Sequence, residues 1–153
     1  MAEQEVKTFI AQYVAAQGDM YTGFTEERYD DFANKYWATD LLFIRPSGNP
    51  MDAAGFKSMW GSGLIKNASS KLLSVDTVRF CGVLACLPSS LPSLPGAVAV
   101  VTFTSHEQFT YGDVVNDDIV KCSVVLEKVA GGWLIAHAQR ATGHPPAVEK
   151  KLV

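Results

Sequence analysis

The chain has 153 residues, of which 48% are hydrophobic and 19% are charged. This length and composition fit one globular domain spanning 1–153, and they exclude a disordered chain, a collagen-like repeat and a long coiled coil. Lysine and arginine number 13 against 16 aspartates and glutamates, a formal net charge of -3, so the sequence has no overall basic field that would attract nucleic acid or anionic lipid.

The first forty residues have the periodicity of two amphipathic helices. The first helix is predicted by apolar residues at i, i+3, i+4, i+7 and i+8, namely Val6, Phe9, Ile10, Tyr13 and Val14. Gly18 is expected to end this helix. Thr25 is predicted to cap the second helix, because the two glutamates that follow it suit the positive end of a helix dipole.

From Asp40 onward the sequence changes to strand-like patterns. Leu41 to Ile44 form a short apolar run that predicts a strand, and Pro46 to Pro50 predict a turn. Asp52 is expected to cap a third short helix, which Gly61 and Gly63 bring to an end. The segments 71–86, 97–110, 118–128 and 132–141 are rich in Val, Thr and Phe and predict four long strands.

The connections between these strands favour an antiparallel meander, with a Pro/Ser loop over 87–96, a polar turn over 111–117 and a tight hairpin over 130–132. Helices followed by a meander predict an α+β domain. Strands with apolar residues on both sides would leave one sheet face exposed, which predicts a homodimer through that face. A monomer with a polar outer face is the alternative, since Lys121, Ser123 and Glu127 alternate with apolar neighbours.

The cysteine count and the amino-terminal sequence predict a cytoplasmic protein. Cys81, Cys86 and Cys122 are odd in number and lie in apolar segments, so we expect free thiols that are buried as small hydrophobic groups. The first residues lack the features of a secretory leader. No apolar run approaches the roughly 18–20 residues that span a bilayer, so no membrane association is expected.

The order of elements resembles the NTF2-like superfamily, the cystatin-like α+β cone that includes the SnoaL-like proteins. The most specific parts are the segment Tyr36-Trp37-Ala38-Thr39-Asp40 and the segment Gly132-Trp133-Leu134-Ile135-Ala136-His137. The resemblance implies three helices packed on a curved antiparallel sheet, an apolar pocket between the two layers, and a homodimer. Because members of this superfamily include enzymes as well as transport and assembly proteins, function must be argued from the pocket residues.

Two departures from known members narrow the choice of activity. Ketosteroid isomerase has an aspartate base at the end of the first strand, before a Pro-x-Gly turn, and Arg45 occupies the matching position here. A guanidinium is protonated at neutral pH and does not abstract protons. The sequence therefore argues against ketosteroid isomerase chemistry. The last strand of this chain resembles the last strand of the calmodulin-dependent kinase association domain and of the iota carbonic anhydrases. Those proteins carry a His-His-His-Ser-Ser run there, and only His137 matches it. This difference argues against carbonic anhydrase activity.

Five residues are the candidates for a ligand-binding site. Arg45 suits a bidentate clamp on a carboxylate, with a salt bridge at the rim as the alternative. His137 and Gln139 are two apart on a strand and are predicted to face the pocket together with Trp133 and Ile135. A hydrogen-bonded histidine with a purely structural role is the alternative for His137. Arg140 is expected on the opposite face. Tyr36 and Trp60 are placed on the pocket wall.

Three functional hypotheses follow. The first is a small-molecule binding protein for a hydrophobic or anionic organic ligand, with neither a metal nor a cofactor, because no metal-ligand spacing, P-loop or GxGxxG motif is present. The second is a lyase, dehydratase or cyclase in which His137 acts as general acid or base. The third is a structural dimerisation module.

Overall fold

A computed structural model describes residues 2–81 and 96–143. In chain order its elements are α1 (Ala2–Thr22), α2 (Glu26–Tyr36), β1 (Trp37–Ile44), β2 (Pro50–Met51), α3 (Ala53–Gly61), β3 (Ile65–Cys81), β4 (Val98–Tyr111), β5 (Val114–Val129) and β6 (Gly132–Gly143). The three helices pack on one face of a curved, unclosed sheet with strand order β2-β1-β6-β5-β4-β3. This confirms the predicted α+β cone.

The two predicted helix caps are confirmed. The side chain of Thr25 accepts a hydrogen bond from the backbone N–H of Arg28 at the start of α2. The side chain of Asp52 accepts one from the N–H of Gly55 at 2.8 Å at the start of α3. Each cap satisfies a backbone donor that has no partner inside its own helix.

The prediction that Gly18 ends the first helix is wrong, because α1 continues to Thr22. Gly18 is required there for packing: a Cβ on this residue would lie 3.2 Å from the backbone nitrogen of Ser70 and 3.4 Å from its carbonyl oxygen in β3. The absent side chain lets α1 approach the backbone of β3 closely. The helix therefore carries a glycine in its interior despite the lower helix propensity of that residue.

The sheet is mixed, whereas the prediction made it wholly antiparallel. The strands β3 to β6 form the predicted meander, but β1 pairs parallel with β6, with Phe43 beside Ala138 and Ile44 beside Gln139. The antiparallel prediction was based on short connections between successive strands. That reasoning does not apply to β1 and β6, because they are far apart in the sequence. β3 also begins earlier than predicted, and the turn after β4 is only Gly112 and Asp113.

The alternation predicted around Lys121, Ser123 and Glu127 of β5 is confirmed, and β4 has the same pattern. The helix-facing residues of these strands are almost completely buried, namely Ala99, Val101, Phe103, Val120, Cys122, Val124 and Leu126. Of the cysteines predicted to be buried, Cys122 is buried but Cys81 is exposed at the end of the edge strand β3. Cys86, His144 and nearly all of the Pro/Ser loop lie outside the described residues.

Strand β6 contains one extra residue. Val125 pairs with His137 and the next residue, Leu126, pairs with Ile135, so Ala136 has no partner on β5. Such a β-bulge reverses which side chains face each side of the sheet. Trp133 and Ile135 before the bulge, and Ala138 after it, are all buried against the helices.

Replacing Gly18 by valine tests the close packing of α1 on β3. Valine is intrinsically a better helix residue than glycine, so a loss of stability in Gly18→Val must come from the clash with Ser70. We expect urea denaturation to show a free energy of unfolding lower by about 1–3 kcal/mol, the usual cost of overpacking. Ala15→Val, at an exposed position of the same helix, is the control, and equal stabilities of the two variants would contradict the packing argument.

Candidate functional site

A pocket of about 250 Å³ opens at one end of the cone, between the end of α1, helix α3 and the ends of β1, β4, β5 and β6. Its apolar lining consists of Phe43, Pro46, Phe56, Met59, Ile65, Phe109 and Val120. Its polar and charged lining consists of Tyr21, Arg45, Glu107, Tyr111, Asn116, Asp118, Arg140 and Thr142. The pocket therefore combines apolar walls with charges of both signs, as small-molecule sites commonly do.

Arg140 and Glu107 form a buried ion pair in this pocket. Their side chains are only 12% and 2% exposed. Glu107 also accepts a hydrogen bond from the hydroxyl of Ser105 at 3.3 Å, and the Arg140 guanidinium lies 5.8 Å from the ring centre of Phe43. Burial disfavours the charge of Arg140, but the neighbouring Glu107 carboxylate raises the pKa of this guanidinium above its ordinary value.

Tyr21 places a neutral hydroxyl beside this pair. The side-chain amide of Gln17 donates a 2.7 Å hydrogen bond to the phenolic oxygen. Burial raises the pKa of Tyr21 to about 12, and the Glu107 carboxylate adds to this effect. The phenol consequently stays protonated at neutral pH and provides an O–H donor in the pocket wall.

Arg45 follows Ile44, the last residue of β1, which pairs with Gln139 next to Arg140 in the parallel register of β1 and β6. Arg45 and Arg140 both line the pocket. The turn that holds it is fixed by two backbone hydrogen bonds, from the N–H of Arg45 to Asn49 and from the N–H of Gly48 to Arg45. The Nε atoms of Arg45 and Arg140 are both buried, and within residues 2–81 and 96–143 neither has a hydrogen-bond partner. One N–H donor of each guanidinium group, at Nε, thus has no acceptor among the described residues.

The structure brings Arg45 to the pocket but not His137 or Gln139. His137 and Gln139 follow the bulge at Ala136 and lie on the outer face of the sheet, where they pair with Val125 and Ser123 of β5. The prediction that they share a side with Trp133 and Ile135 is therefore wrong. Arg140, predicted on the opposite face, points into the pocket for the same reason.

Tyr36 and Trp60 are buried away from this pocket. Trp60 packs in an aromatic cluster, with its ring centre 5.6 Å from that of Phe32 and 5.8 Å from that of Trp37. Tyr36 donates a hydrogen bond to the backbone carbonyl of Gln12 and borders a second, more open hollow of about 570 Å³ at the other end of the cone. Neither residue contributes to the wall that contains Arg45.

Sequence reasoning missed three charged members of the site, Glu107, Asp118 and Arg140. Asp118 directly follows the predicted polar turn over 111–117, but β5 begins at Val114, so Asp118 lies within the strand and lines the pocket. Glu107 is at an even spacing from Ala99, Val101 and Phe103, the helix-facing residues of β4. This spacing of two residues is the signal that would have identified Glu107 as buried. Arg140 has no comparable signal, because its orientation depends on the bulge.

The other described histidine, His106, also lies outside the pocket. His106 pairs with Asp117 at 2.5 Å on the outer side of the sheet. Within the described part of the chain, no three His, Cys, Asp or Glu side chains are arranged to hold a metal ion. Nor does any described helix have the length and apolar character needed to cross a membrane.

Comparison with known proteins identifies the fold. The model of a family described as a protein of unknown function (DUF3804) matches residues 18–147. An NTF2-like protein of unknown function from Prochlorococcus sp. NATL2A is 28% identical, with 95% of each chain covered and a TM-score of 0.67. No curated protein matches the chain significantly.

More distant structures share the architecture alone. A putative calmodulin-dependent kinase II association domain from Exiguobacterium sibiricum is 13% identical, with 94% of each chain covered and a TM-score of 0.61. A putative aromatic ring hydroxylase from Novosphingobium aromaticivorans is 11% identical, with 93% of this chain and 89% of that chain covered and a TM-score of 0.64. The predicted NTF2-like fold is confirmed.

Removing one member of the buried ion pair should destabilise the protein more than removing both. Glu107→Met leaves the Arg140 guanidinium buried without a counter-ion. We therefore expect urea denaturation to show a free energy of unfolding lower by about 3–5 kcal/mol. The double variant Glu107→Met/Arg140→Met should recover most of this loss, because neither charge is then buried.

The exposed pair between Lys57 and Asp30, with a 2.8 Å separation, provides the control. Asp30→Ala should cost no more than about 1 kcal/mol. A single Glu107→Met variant as stable as the unmodified protein would show that the ion pair does not stabilise the pocket.

Proposed function

Because this chain belongs to the DUF3804 family and has the NTF2-like fold, we propose that it binds a small organic carboxylate in the pocket lined by Arg45 and Arg140. The observation that carries this proposal is the pair of buried guanidinium Nε atoms without acceptors. Buried N–H groups in proteins are nearly always hydrogen-bonded, and an unpaired one costs free energy. A carboxylate bound between Arg45 and Arg140 would accept hydrogen bonds from the guanidinium N–H groups that border the pocket.

The two arginines have different functions in this proposal. Glu107 neutralises Arg140, so Arg140 contributes mainly a donor held in a fixed position. Arg45 has no ion pair within the described ranges and contributes the net positive charge as well as the planar donor geometry that suits carboxylates. The Tyr21 hydroxyl adds a neutral donor in the same wall.

The remaining walls favour an apolar body on the ligand. Phe43, Phe56, Ile65 and Phe109 supply hydrocarbon and aromatic surface, and a volume of about 250 Å³ suits a short alkyl or single-ring group. Burial of such surface stabilises a complex by roughly 25 cal/mol per Å². The ligand class that fits is therefore a small hydrophobic acid.

Binding is better supported than the acid–base chemistry first considered for His137. The imidazole of His137 lies on the outer face of the sheet, across from Val125, and does not line the pocket. The carboxylate of Glu107 is engaged by Arg140 and Ser105. The third hypothesis, a purely structural module, is less well supported because it requires a pocket filled by the protein's own side chains.

We further propose that the outer face of the sheet forms a homodimer with a second copy of the chain. Val100, Val125 and Leu42 lie on this face with His137 and Gln139, and Leu42 is 45% exposed. Polar groups flank them, including Lys121, which binds Asp76 at 3.2 Å. An apolar centre with a polar rim is the usual anatomy of a protein interface.

The carboxylate site is tested by substituting Arg45. Isothermal titration with octanoate should detect binding to the unmodified protein, and Arg45→Gln should weaken it at least about tenfold, because a charge-assisted hydrogen bond contributes roughly 1.5–3 kcal/mol. The control is Arg79→Gln, an exposed arginine of β3 outside the pocket. Equal octanoate affinities for the Arg45 and Arg79 variants would disprove the clamp.

The proposed dimer is tested by placing a charge in the apolar centre of the outer face. Val125→Glu should convert the dimer to a monomer in analytical ultracentrifugation, because the interface would bury two unpaired carboxylates. Val114→Glu, on the same strand but at its exposed tip, should remain dimeric. A monomeric unmodified protein, or a dimeric Val125 variant, would rule out this interface.

A further inference from the structure

Asp118 lies where its charge is poorly compensated. It pairs directly with Glu107 across β4 and β5, and both side chains line the pocket. The Cβ atoms of directly opposed residues are about 5 Å apart, and like charges in such pairs repel. Arg140 already neutralises Glu107, whereas Asp118 has no ion pair or hydrogen bond with any described residue.

The charges that line the pocket are Arg45, Arg140, Glu107 and Asp118. After the Arg140–Glu107 pair is removed from the count, two charges remain: the guanidinium of Arg45, just past the end of β1, and the carboxylate of Asp118 on β5. The strand β6 lies between β1 and β5, and no ion pair joins Arg45 to Asp118 among the described residues.

Asn116 adds an oxygen beside Asp118. Its side-chain nitrogen donates to the backbone carbonyl of Val114 at 3.3 Å, which fixes the amide and leaves its Oδ1 atom as an acceptor. Asn116 and Asp118 are two residues apart on β5 and both line the pocket. Together they offer carboxylate and amide oxygens, the acceptors that a primary ammonium group requires.

We infer that the ligand is a zwitterion, an amino carboxylic acid whose carboxylate lies at Arg45 and whose ammonium group lies at Asp118 and Asn116. This inference rests on the proposed carboxylate site and specifies its ligand class. The ammonium group relieves the repulsion between Asp118 and Glu107. The apolar lining between the two ends, including Phe43 and Ile65, requires a hydrocarbon chain or ring between the two charges.

The test uses matched ligands that differ only in the amino group. Isothermal titration of the full chain compares 6-aminohexanoate with hexanoate and 8-aminooctanoate with octanoate. The unmodified protein should bind at least one amino acid about tenfold more tightly than its matched alkanoate, as one additional charged hydrogen bond would give.

Asp118→Asn keeps the shape of the side chain and removes its charge. This variant should bind the amino acid about tenfold more weakly and the alkanoate slightly more tightly, because one negative charge has left the pocket. Its thermal unfolding midpoint should be equal or higher, since the repulsion with Glu107 is gone. Asp113→Asn, in the exposed turn of the same hairpin, is the control and should change neither affinity.

The outcomes separate this inference from the proposed function. Suppose that the alkanoates bind, that Arg45→Gln weakens their binding, and that the amino group does not increase affinity. The inference of a zwitterionic ligand is then wrong, and the carboxylate site is supported. If the amino acid binds and the Asp118→Asn variant still binds it more tightly than the matched alkanoate, Asp118 is not the cation site and the inference is overturned. If neither series binds, or Arg45→Gln affects neither, both proposals fail.

Discussion

The extra residue at Ala136 determines which side chains of β6 reach the interior of the cone. Before the bulge, Trp133 and Ile135 face the helices; after it, Ala138 and Arg140 do. In a regular strand His137 would have faced the helices and Arg140 would have faced outward. Because of this one unpaired residue, the Arg140 guanidinium faces the pocket and the His137 imidazole faces outward. The charge of the pocket depends on this orientation.

A guanidinium in this position constrains the residues around it. The Arg140 side chain is 12% exposed, so its charge requires a counter-ion, which Glu107 provides from β4. Ser105 holds the Glu107 carboxylate in turn. These polar groups cannot be covered by apolar side chains without losing their partners. The aromatic cluster around Trp37 and Trp60 fills the interior beside them, whereas the end with the charges stays open as a pocket.

Much of the fold could be predicted because its signals are local. The caps at Thr25 and Asp52 and the alternation in β5 depend on neighbouring residues alone, and the structure agrees with each. The error at Gly18 has a different origin, because the reason for that glycine lies 52 residues away at Ser70. Of the site, Arg45 was predicted from the end of an apolar strand, but the bulge in β6 depends on pairing with β5 and left no local pattern.

The charges that line the pocket are the reason why we propose a monoanion as its ligand. Two adjacent guanidinium groups would repel each other and attract a dianion such as phosphate, but Glu107 cancels one of the two charges. In the proposed complex, the anionic end of the ligand would meet one net positive charge and N–H donors from two arginines. A monocarboxylate matches both the charge and the planar donor geometry. A phosphate dianion would leave one negative charge uncompensated in a pocket that already contains Asp118, which disfavours its burial.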